Sequence, residues 1–155
     1  MTQDSFDVMR NRVARLGMSM GLTVWAAAAL ADHELDARNL AQGARLYQEH
    51  CAVCHCVNLE GAPDWRRAND DGTLPAPPHE ETGHTWHHDN QLLFDYTKLG
   101  GQAALEMRGV TGFSSAMPGF SDQISDAAIW DILAYIRSTW PEEVQEIHSG
   151  RNPQH

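Results

Sequence analysis

The stretch Cys51-Ala52-Val53-Cys54-His55 decides the fold of this chain. Two residues between the cysteines bring both thiols onto one turn of helix, and His55 follows them directly. Two thiols in this arrangement can add across the two vinyl groups of a porphyrin, while the imidazole ligates the iron from one face. The motif therefore predicts one covalently attached c-type haem, with Cys51 and Cys54 as tethers and His55 as an axial ligand.

All three cysteines of the chain lie in this cluster, which limits the alternatives. A structural zinc site usually has four ligands from two separated pairs, and the second pair would have to be histidines. A thioredoxin-type redox pair needs a βαβ unit, whereas this region reads as helical and loop-rich. The odd number of cysteines argues against a disulfide framework. Cys56 is an additional thiol for which the sequence indicates no function.

Residues 1–31 are typical of a secretory signal peptide. A positive segment precedes an apolar run over residues 16–31, and Ala29-Leu30-Ala31 predicts cleavage before Asp32. The run is shorter than the ~20 residues of a spanning helix, so we expect export to the periplasm and no permanent membrane span. Export agrees with the haem motif, because c-type haem is attached outside the bacterial inner membrane. The positive residues are Arg10, Arg12 and Arg15.

The expected mature chain is strongly acidic. The whole chain carries a net charge of −10, and residues 1–31 hold three arginines against two aspartates, so residues 32–155 carry −11. Such a domain should not bind nucleic acid, and its partners should offer a basic or neutral docking face. Acidity also simply keeps a soluble protein dispersed. By length we expect one domain at 32–141, followed by a polar tail at 142–155 that frays either at once or after a helical turn or two.

Hydrophobic periodicity predicts three helices, and no stretch shows sustained strand alternation. The first runs from about Asn39, its N-cap, to Cys51. Gly43 lies in its middle, where glycine costs about 1 kcal/mol relative to alanine, so we expect another helix to cross there at close range. The residues predicted to share one face of this helix are Leu40, Ala44, Tyr47 and Cys51.

The last and middle helices are predicted at 125–139 and 90–99. Ser125 can cap the last helix, and Pro141 stops it. The middle helix ends at Gly100-Gly101. The apolar positions are Ile129, Ile132, Leu133, Ile136 and Trp140 in the last helix, and Leu92, Leu93, Tyr96 and Leu99 in the middle one.

A long polar segment at 57–89 contains four of the seven prolines and a group of histidines. A loop of this length is unusual in a compact domain unless it wraps around a large cofactor. The histidines leave several roles open: a second metal site such as copper, a replacement axial ligand, contacts to haem propionates that also involve Trp86, or a polar cap with Asp89 or Asn90 as N-cap of the middle helix. The histidines are His79, His84, His87 and His88.

Met107 and Met117 are the methionines that remain after removal of the signal peptide. Met117 lies in a breaker-rich loop, where Pro118 stiffens the backbone, whereas Met107 lies in a helix-like segment in which packing is the default role. We therefore predict Met117 as the second axial ligand. A thioether stabilises Fe(II) over Fe(III) and raises the reduction potential. Filling both axial positions suits an electron carrier more than an enzyme.

Taken together, these residues resemble the class I cytochromes c, in particular the small soluble bacterial monohaem members. Gly43–Tyr47 is similar to their N-terminal helix, Trp130–Ile136 to the C-terminal helix that crosses it, and Met117-Pro118 to their distal loop. Gly61-Ala62-Pro63 is similar to the turn whose proline carbonyl accepts the proximal imidazole N–H. The resemblance implies an all-α fold, with crossed terminal helices, a middle helix and long loops around one covalently bound haem with an exposed edge.

The chain departs from this family in three respects. Cys56 stands where many members have glycine, the segment 64–89 is longer and more polar than in the smallest members, and the acidity differs from that of the basic mitochondrial carriers. The expected function is periplasmic electron transfer between redox partner proteins of the respiratory chain, without enzymatic activity. The alternatives are a haem enzyme, such as a peroxidase or catalytic subunit with an open iron position, and a haem protein with an extra metal site at His84, His87 and His88.

Overall fold

The computed structural model describes residues 34–152, so the predicted signal peptide lies outside the described residues. The predicted all-α class is confirmed: over 34–152 the strand-like pairing consists of a single bridge between Thr73 and Ser114. Within that range no helix is both long and apolar enough to span a membrane. The helices are α1 (Leu40–His50), α2 (Ala52–His55), a 3₁₀ turn (Thr85–His87), α3 (Asn90–Leu99), α4 (Gly101–Met107), α5 (Asp126–Ser138) and α6 (Glu142–Ser149).

The three predicted helices begin at side-chain caps. The Asn39 side chain accepts a hydrogen bond from the backbone N–H of Gln42 at 3.0 Å. Asp89 caps α3 through Leu92 N at 2.6 Å, and the Ser125 hydroxyl accepts from the third residue of α5 at 3.3 Å. Each cap satisfies a backbone donor that has no partner inside the helix, and for this reason the helix starts can be predicted from the sequence.

Helices α1 and α5 cross at Gly43, as the sequence predicts. A Cβ added at Gly43 would lie only 2.0 Å from the backbone oxygen of Asp131. The Asp131 side chain also accepts a hydrogen bond from Asn39 N at 3.2 Å, so α5 helps to cap α1. The main core cluster lies around this crossing and consists of Leu46, Tyr47, Leu59, Ile132, Ile136 and Trp140.

The buried face of α1 differs from the predicted one. Leu40 is 44% exposed, whereas Gly43, Leu46 and Tyr47 are buried. The physical reason is the crossing itself, because the closest approach of α5 at Gly43 selects the helix face that turns inward. The apolar positions predicted for the last helix are all buried, and α5 contributes Ile132 and Ile136 to one core cluster and Ile129, Leu133 and Ala134 to the other.

The C-terminal segment continues as helix α6 over eight residues, about the turn or two that the sequence allowed, and fraying beyond it stays a prediction. Helix α6 buries His148 completely, with its ring edge-on to Trp140 at 5.1 Å. Asn152 accepts a hydrogen bond from Asn90 N at 2.7 Å and thereby ties the segment to the start of α3. Arg137 of α5 donates to the Ser149 hydroxyl at 3.0 Å. Polar side chains that find partners hold this segment in place.

Candidate functional site

The predicted attachment motif consists of Cys51, which follows α1, and the single turn of helix α2. Cys51 ends α1, with its N–H bonded to Tyr47 O at 2.8 Å, and it begins the next turn by accepting from His55 N at 2.9 Å. Cys51 is partly buried and Cys54 is exposed, and both are free thiols. Burial raises the pKa of the Cys51 thiol to about 12, with a smaller contribution from Cys54. The Cys51 sulfur is therefore neutral, as it would remain in a thioether.

His55 is buried, with 7% of its surface exposed, and a backbone carbonyl orients its ring. Its Nδ1 lies 2.8 Å from Pro77 O. A carbonyl can only accept, so Nδ1 carries the proton and the lone pair lies on Nε2. Desolvation lowers the pKa of His55, and the hydrogen bond to Pro77 opposes that shift. The ring is thus held as a neutral donor toward a metal through Nε2.

The resemblance noted in the sequence assigned the carbonyl that accepts from His55 to Pro63, and that assignment is wrong. Pro63 is exposed, whereas Pro77 O contacts His55. Between them the chain makes an excursion, residues 62–76, that is closed at its base by the bond from Ala62 N to Ala76 O at 2.8 Å. Gly61 lets the two ends meet, because a Cβ there would lie 2.4 Å from Pro78 N. The excursion explains why the proline that acts on His55 comes later in the sequence.

Cys56 adopts a backbone conformation that favours glycine. Its φ of 64° and ψ of 160° lie in a region that side-chain-bearing residues rarely occupy. The Cys56 thiol donates to Gly61 O at 3.3 Å. The Tyr47 hydroxyl donates to Cys56 O at 3.0 Å, and burial raises the pKa of Tyr47, which keeps the phenol protonated. Local hydrogen bonds therefore hold the turn after His55 in a strained geometry.

The histidines of the long segment do not form the second metal site considered above. Within residues 34–152, no three His, Cys, Asp or Glu side chains are grouped so as to hold a metal. His84 stacks on Trp65 at 5.2 Å and meets His88 edge-on at 5.3 Å. Trp86 stacks on His87 at 3.7 Å. The histidines thus pack as rings along the segment that precedes α3.

The indole N–H of Trp86 is already used in the protein. It donates to Glu81 O at 3.1 Å, which leaves no support for a propionate contact from this group. The cap before α3 is Asp89, one of the two residues that the sequence offered for that position.

His79 lies beside His55 and not across from it. The two rings stack with centroids 4.0 Å apart and an interplanar angle of 23°. In a bis-histidine centre the iron would lie between the two imidazoles, and stacked rings at this distance leave no room for it. Desolvation, followed by the neighbouring His55 and His84, holds the pKa of His79 well below its ordinary value. His79 is therefore a neutral neighbour of His55.

The loop that carries Met117 is fixed at the junction of α3 and α4. Met117 O accepts from Gly101 N at 3.0 Å, and Met117 N donates to the Ser115 hydroxyl at 3.3 Å. Gly100 permits this close approach, since a Cβ there would lie 3.0 Å from Met117 O. Met117 is half-buried, whereas Met107 on α4 is 59% exposed. These contacts hold the loop, while iron ligation by Met117 stays a prediction.

The residues present fit a covalently attached haem. Cys51 and Cys54 are free thiols on one turn, and the next residue offers an imidazole whose Nδ1 is engaged and whose Nε2 holds a lone pair. Helix α3 also keeps apolar surface accessible, which suits a large porphyrin. Its half-buried or exposed apolar side chains are Leu92, Leu93, Tyr96 and Leu99.

Comparison with known proteins gives one match. The family model described as Cytochrome c matches residues 40–140, from the start of α1 to the end of α5. No curated protein matches the chain, and no solved structure does. The match spans the attachment motif, the excursion and the Met117 loop, and it ends before α6.

Proposed function

Because this chain belongs to the cytochrome c family, we propose that it is a periplasmic one-electron carrier whose covalently attached haem c is ligated by His55 and Met117. Haem-based electron transfer between redox partners follows from the family. The ligand pair, the periplasmic location and the choice of respiratory-chain partners are the proposal. Cys51 and Cys54 tether the haem, and when bound it supplies an Fe(III)/Fe(II) couple.

The hydrogen bond from His55 Nδ1 to Pro77 O is the observation that carries the proposal. It fixes the tautomer and the ring orientation, and it makes the imidazole a stronger donor through Nε2. This carbonyl belongs to Pro77, which directly follows the backbone bond between Ala62 and Ala76. The base of the excursion therefore fixes the position of the carbonyl through backbone contacts. A ligand held in one orientation needs little reorganisation when the charge on the iron changes.

Met117 supports the proposal through its backbone. Bonds from Gly101 N and to the Ser115 hydroxyl hold the backbone of Met117 at both its carbonyl and its N–H, which supports a fixed loop as the carrier of the proposed ligand. A neutral sulfur ligand favours the reduced iron, and a second protein ligand denies the iron to oxygen or peroxide. A closed, six-coordinate centre distinguishes a carrier from a haem enzyme.

The location and the partners are supported by the sequence features outside the haem site. The predicted signal peptide supports export, and the net charge of −11 for residues 32–155 favours a partner with a basic or neutral docking face. An association driven by such charges speeds up at low ionic strength and slows as salt screens it.

A near-infrared absorption measurement tests the ligand assignment. The ferric holoprotein should show the weak methionine-to-iron(III) band, and Met117→Ala should lose it. Met107→Ala is the matched control, because this methionine is exposed on α4, and it should keep the band. Absence of the band from the wild-type protein, together with binding of cyanide or carbon monoxide as rapid as in the Met117→Ala variant, would refute the proposed carrier and favour an open iron position.

A further inference from the structure

The ring of His79 covers one face of the His55 imidazole. The centroids are 4.0 Å apart and the planes are inclined by 23°, which is contact over much of the ring. The two residues are distant in sequence and meet because the chain that leaves the excursion returns to the turn after α2, where His79 N donates to Leu59 O. Nothing in the attachment motif requires this partner, so the contact needs its own explanation.

Hydrogen bonds hold both the ring and the backbone of His79. Its Nδ1 lies 2.8 Å from the Thr85 hydroxyl, and that hydroxyl donates to Pro78 O at 3.3 Å. The hydroxyl proton is thus used, so the neutral His79 ring donates from Nδ1 to Thr85. The His79 backbone N–H donates to Leu59 O at 2.8 Å, and its carbonyl accepts from Trp140 Nε1 at 2.7 Å.

The two contacts on His55 act in perpendicular directions. The hydrogen bond to Pro77 O lies along the N–H direction, in the plane of the imidazole, and it fixes the direction in which Nδ1 points. It resists tilting of the ring only weakly, because hydrogen bonds tolerate out-of-plane displacement. A flat side chain packed on the ring face resists this tilt directly, since interiors close-packed at van der Waals distance leave no room to rotate. His79 supplies this second constraint.

We propose that His79 is a positioning residue that sets the plane of the His55 imidazole and keeps water from one of its faces. This inference rests on the proposed function, because it concerns the ligand of the electron-carrying iron. Thr85 acts on His55 only indirectly, because its hydroxyl holds the ring of His79. The expected consequence is a reduction potential and a ferric electronic structure that depend on the presence of a flat ring at position 79.

The test compares three variants of the holoprotein by EPR of the ferric form and by redox titration. His79→Ala removes the ring and admits water to the face of His55, which favours the charged ferric state. We expect a three- to tenfold shift of the Fe(III)/Fe(II) equilibrium toward Fe(III), about 30 to 60 mV lower in potential at 59 mV per tenfold, with altered g values. His79→Phe restores a flat ring and should stay within twofold of the wild type.

Thr85→Val is the third variant, since it leaves both histidines in place and removes the hydroxyl that holds His79. It should shift the g values in the same direction as His79→Ala, by a smaller amount. The inference is overturned if His79→Ala leaves both readouts unchanged, or if His79→Phe departs from the wild type as far as His79→Ala. If His79→Ala yields no holoprotein, Thr85→Val decides: a shift supports the role, and unchanged g values overturn it.

Failure of the carrier proposal can be told apart from failure of this inference. The near-infrared band of the wild type tests the Met117 side of the iron and does not involve His79. The proximal side is read separately from the iron–histidine stretch in resonance Raman spectra of ferrous Met117→Ala protein. In that background, His79→Ala should change the stretch and His79→Phe should not. Equal spectra for the two double variants would overturn the inference whatever the fate of the carrier proposal.

Discussion

Replacing Gly43 by alanine tests the crossing of α1 and α5 on which the site is built. Two effects oppose each other. Alanine is favoured over glycine in a helix interior by about 1 kcal/mol. Against this, the new Cβ would lie 2.0 Å from the Asp131 oxygen, 2.6 Å from its carbonyl carbon and 2.9 Å from Tyr135 Cβ. Carbon atoms at rest lie ~3.5 Å or more apart, so the helices must separate by more than 1 Å.

Backbone atoms cannot swing aside as a flexible side chain can, so the clash should outweigh the propensity. Overpacking of a core costs about 1–3 kcal/mol and occasionally more. Separation of the helices would also stretch the bond from Asn39 N to the Asp131 side chain, which is 3.2 Å long. Taking the upper end of that cost, because the nearest atoms belong to the backbone, and subtracting the propensity gain, we expect Gly43→Ala to lower the free energy of unfolding by about 2 kcal/mol.

Urea unfolding of the holoprotein, followed by far-ultraviolet circular dichroism, measures this loss. Ala41→Gly is the control, because Ala41 is exposed on the same helix and reports the propensity alone. It should destabilise by at most about 1 kcal/mol. If Gly43→Ala proved neutral or stabilising, the close crossing would be wrong, and the reason given for the buried face of α1 would fail with it.

Three further outcomes are expected. Cys56→Gly relieves a backbone conformation that costs about 1–3 kcal/mol. Cys56→Ala keeps that conformation and loses the thiol's hydrogen bond to Gly61 O. In urea titrations the glycine variant should therefore be more stable than the alanine variant by about 1 kcal/mol. Burial lowers the pKa of His84, so the unfolded chain binds a proton at this residue before the folded protein does, and stability should fall as the pH drops below about 6.5. In thermal melts between pH 7 and 5, His84→Gln should flatten that decline. An unchanged slope would contradict the contribution of His84 to the pH dependence. Asn152→Ala removes the acceptor for Asn90 N and should lower the free energy of unfolding in urea by about 1 kcal/mol. Asn152→Asp keeps an acceptor and should retain most of that stability. Equal losses in the two variants would exclude the capping role of Asn152.

The parts of the fold that depend on neighbouring residues could be predicted from the sequence. Helix starts at Asn39 and Ser125 were predictable because a cap acts within three residues. The apolar stripe of α5 was predictable because its period is strong. Gly43 indicated a close crossing because no local reason favours glycine in a helix interior.

What could not be predicted depends on how the chain closes on itself. Pro63 and Pro77 both follow the attachment motif, and only the long-range bond at the base of the excursion shows which one reaches His55. The stack of His79 on His55 likewise needs the three-dimensional path of the loop. The packing of helix α6 could not be predicted because its buried residue is His148, which hydropathy counts as polar.

The backbone bond between Ala62 and Ala76 makes the length of the excursion independent of the chemistry at His55. Trp65 and Thr73 tie parts of the excursion to His84 and Ser114, but its exposed turn at residues 70–72 can be lengthened or exchanged while the proline that follows the base returns to the same place. Doubling a flexible loop costs only about 0.6 kcal/mol in closure entropy. That turn is therefore a natural grafting site, where a tag, an epitope or a peptide that binds an electrode surface can be inserted without disturbing His55.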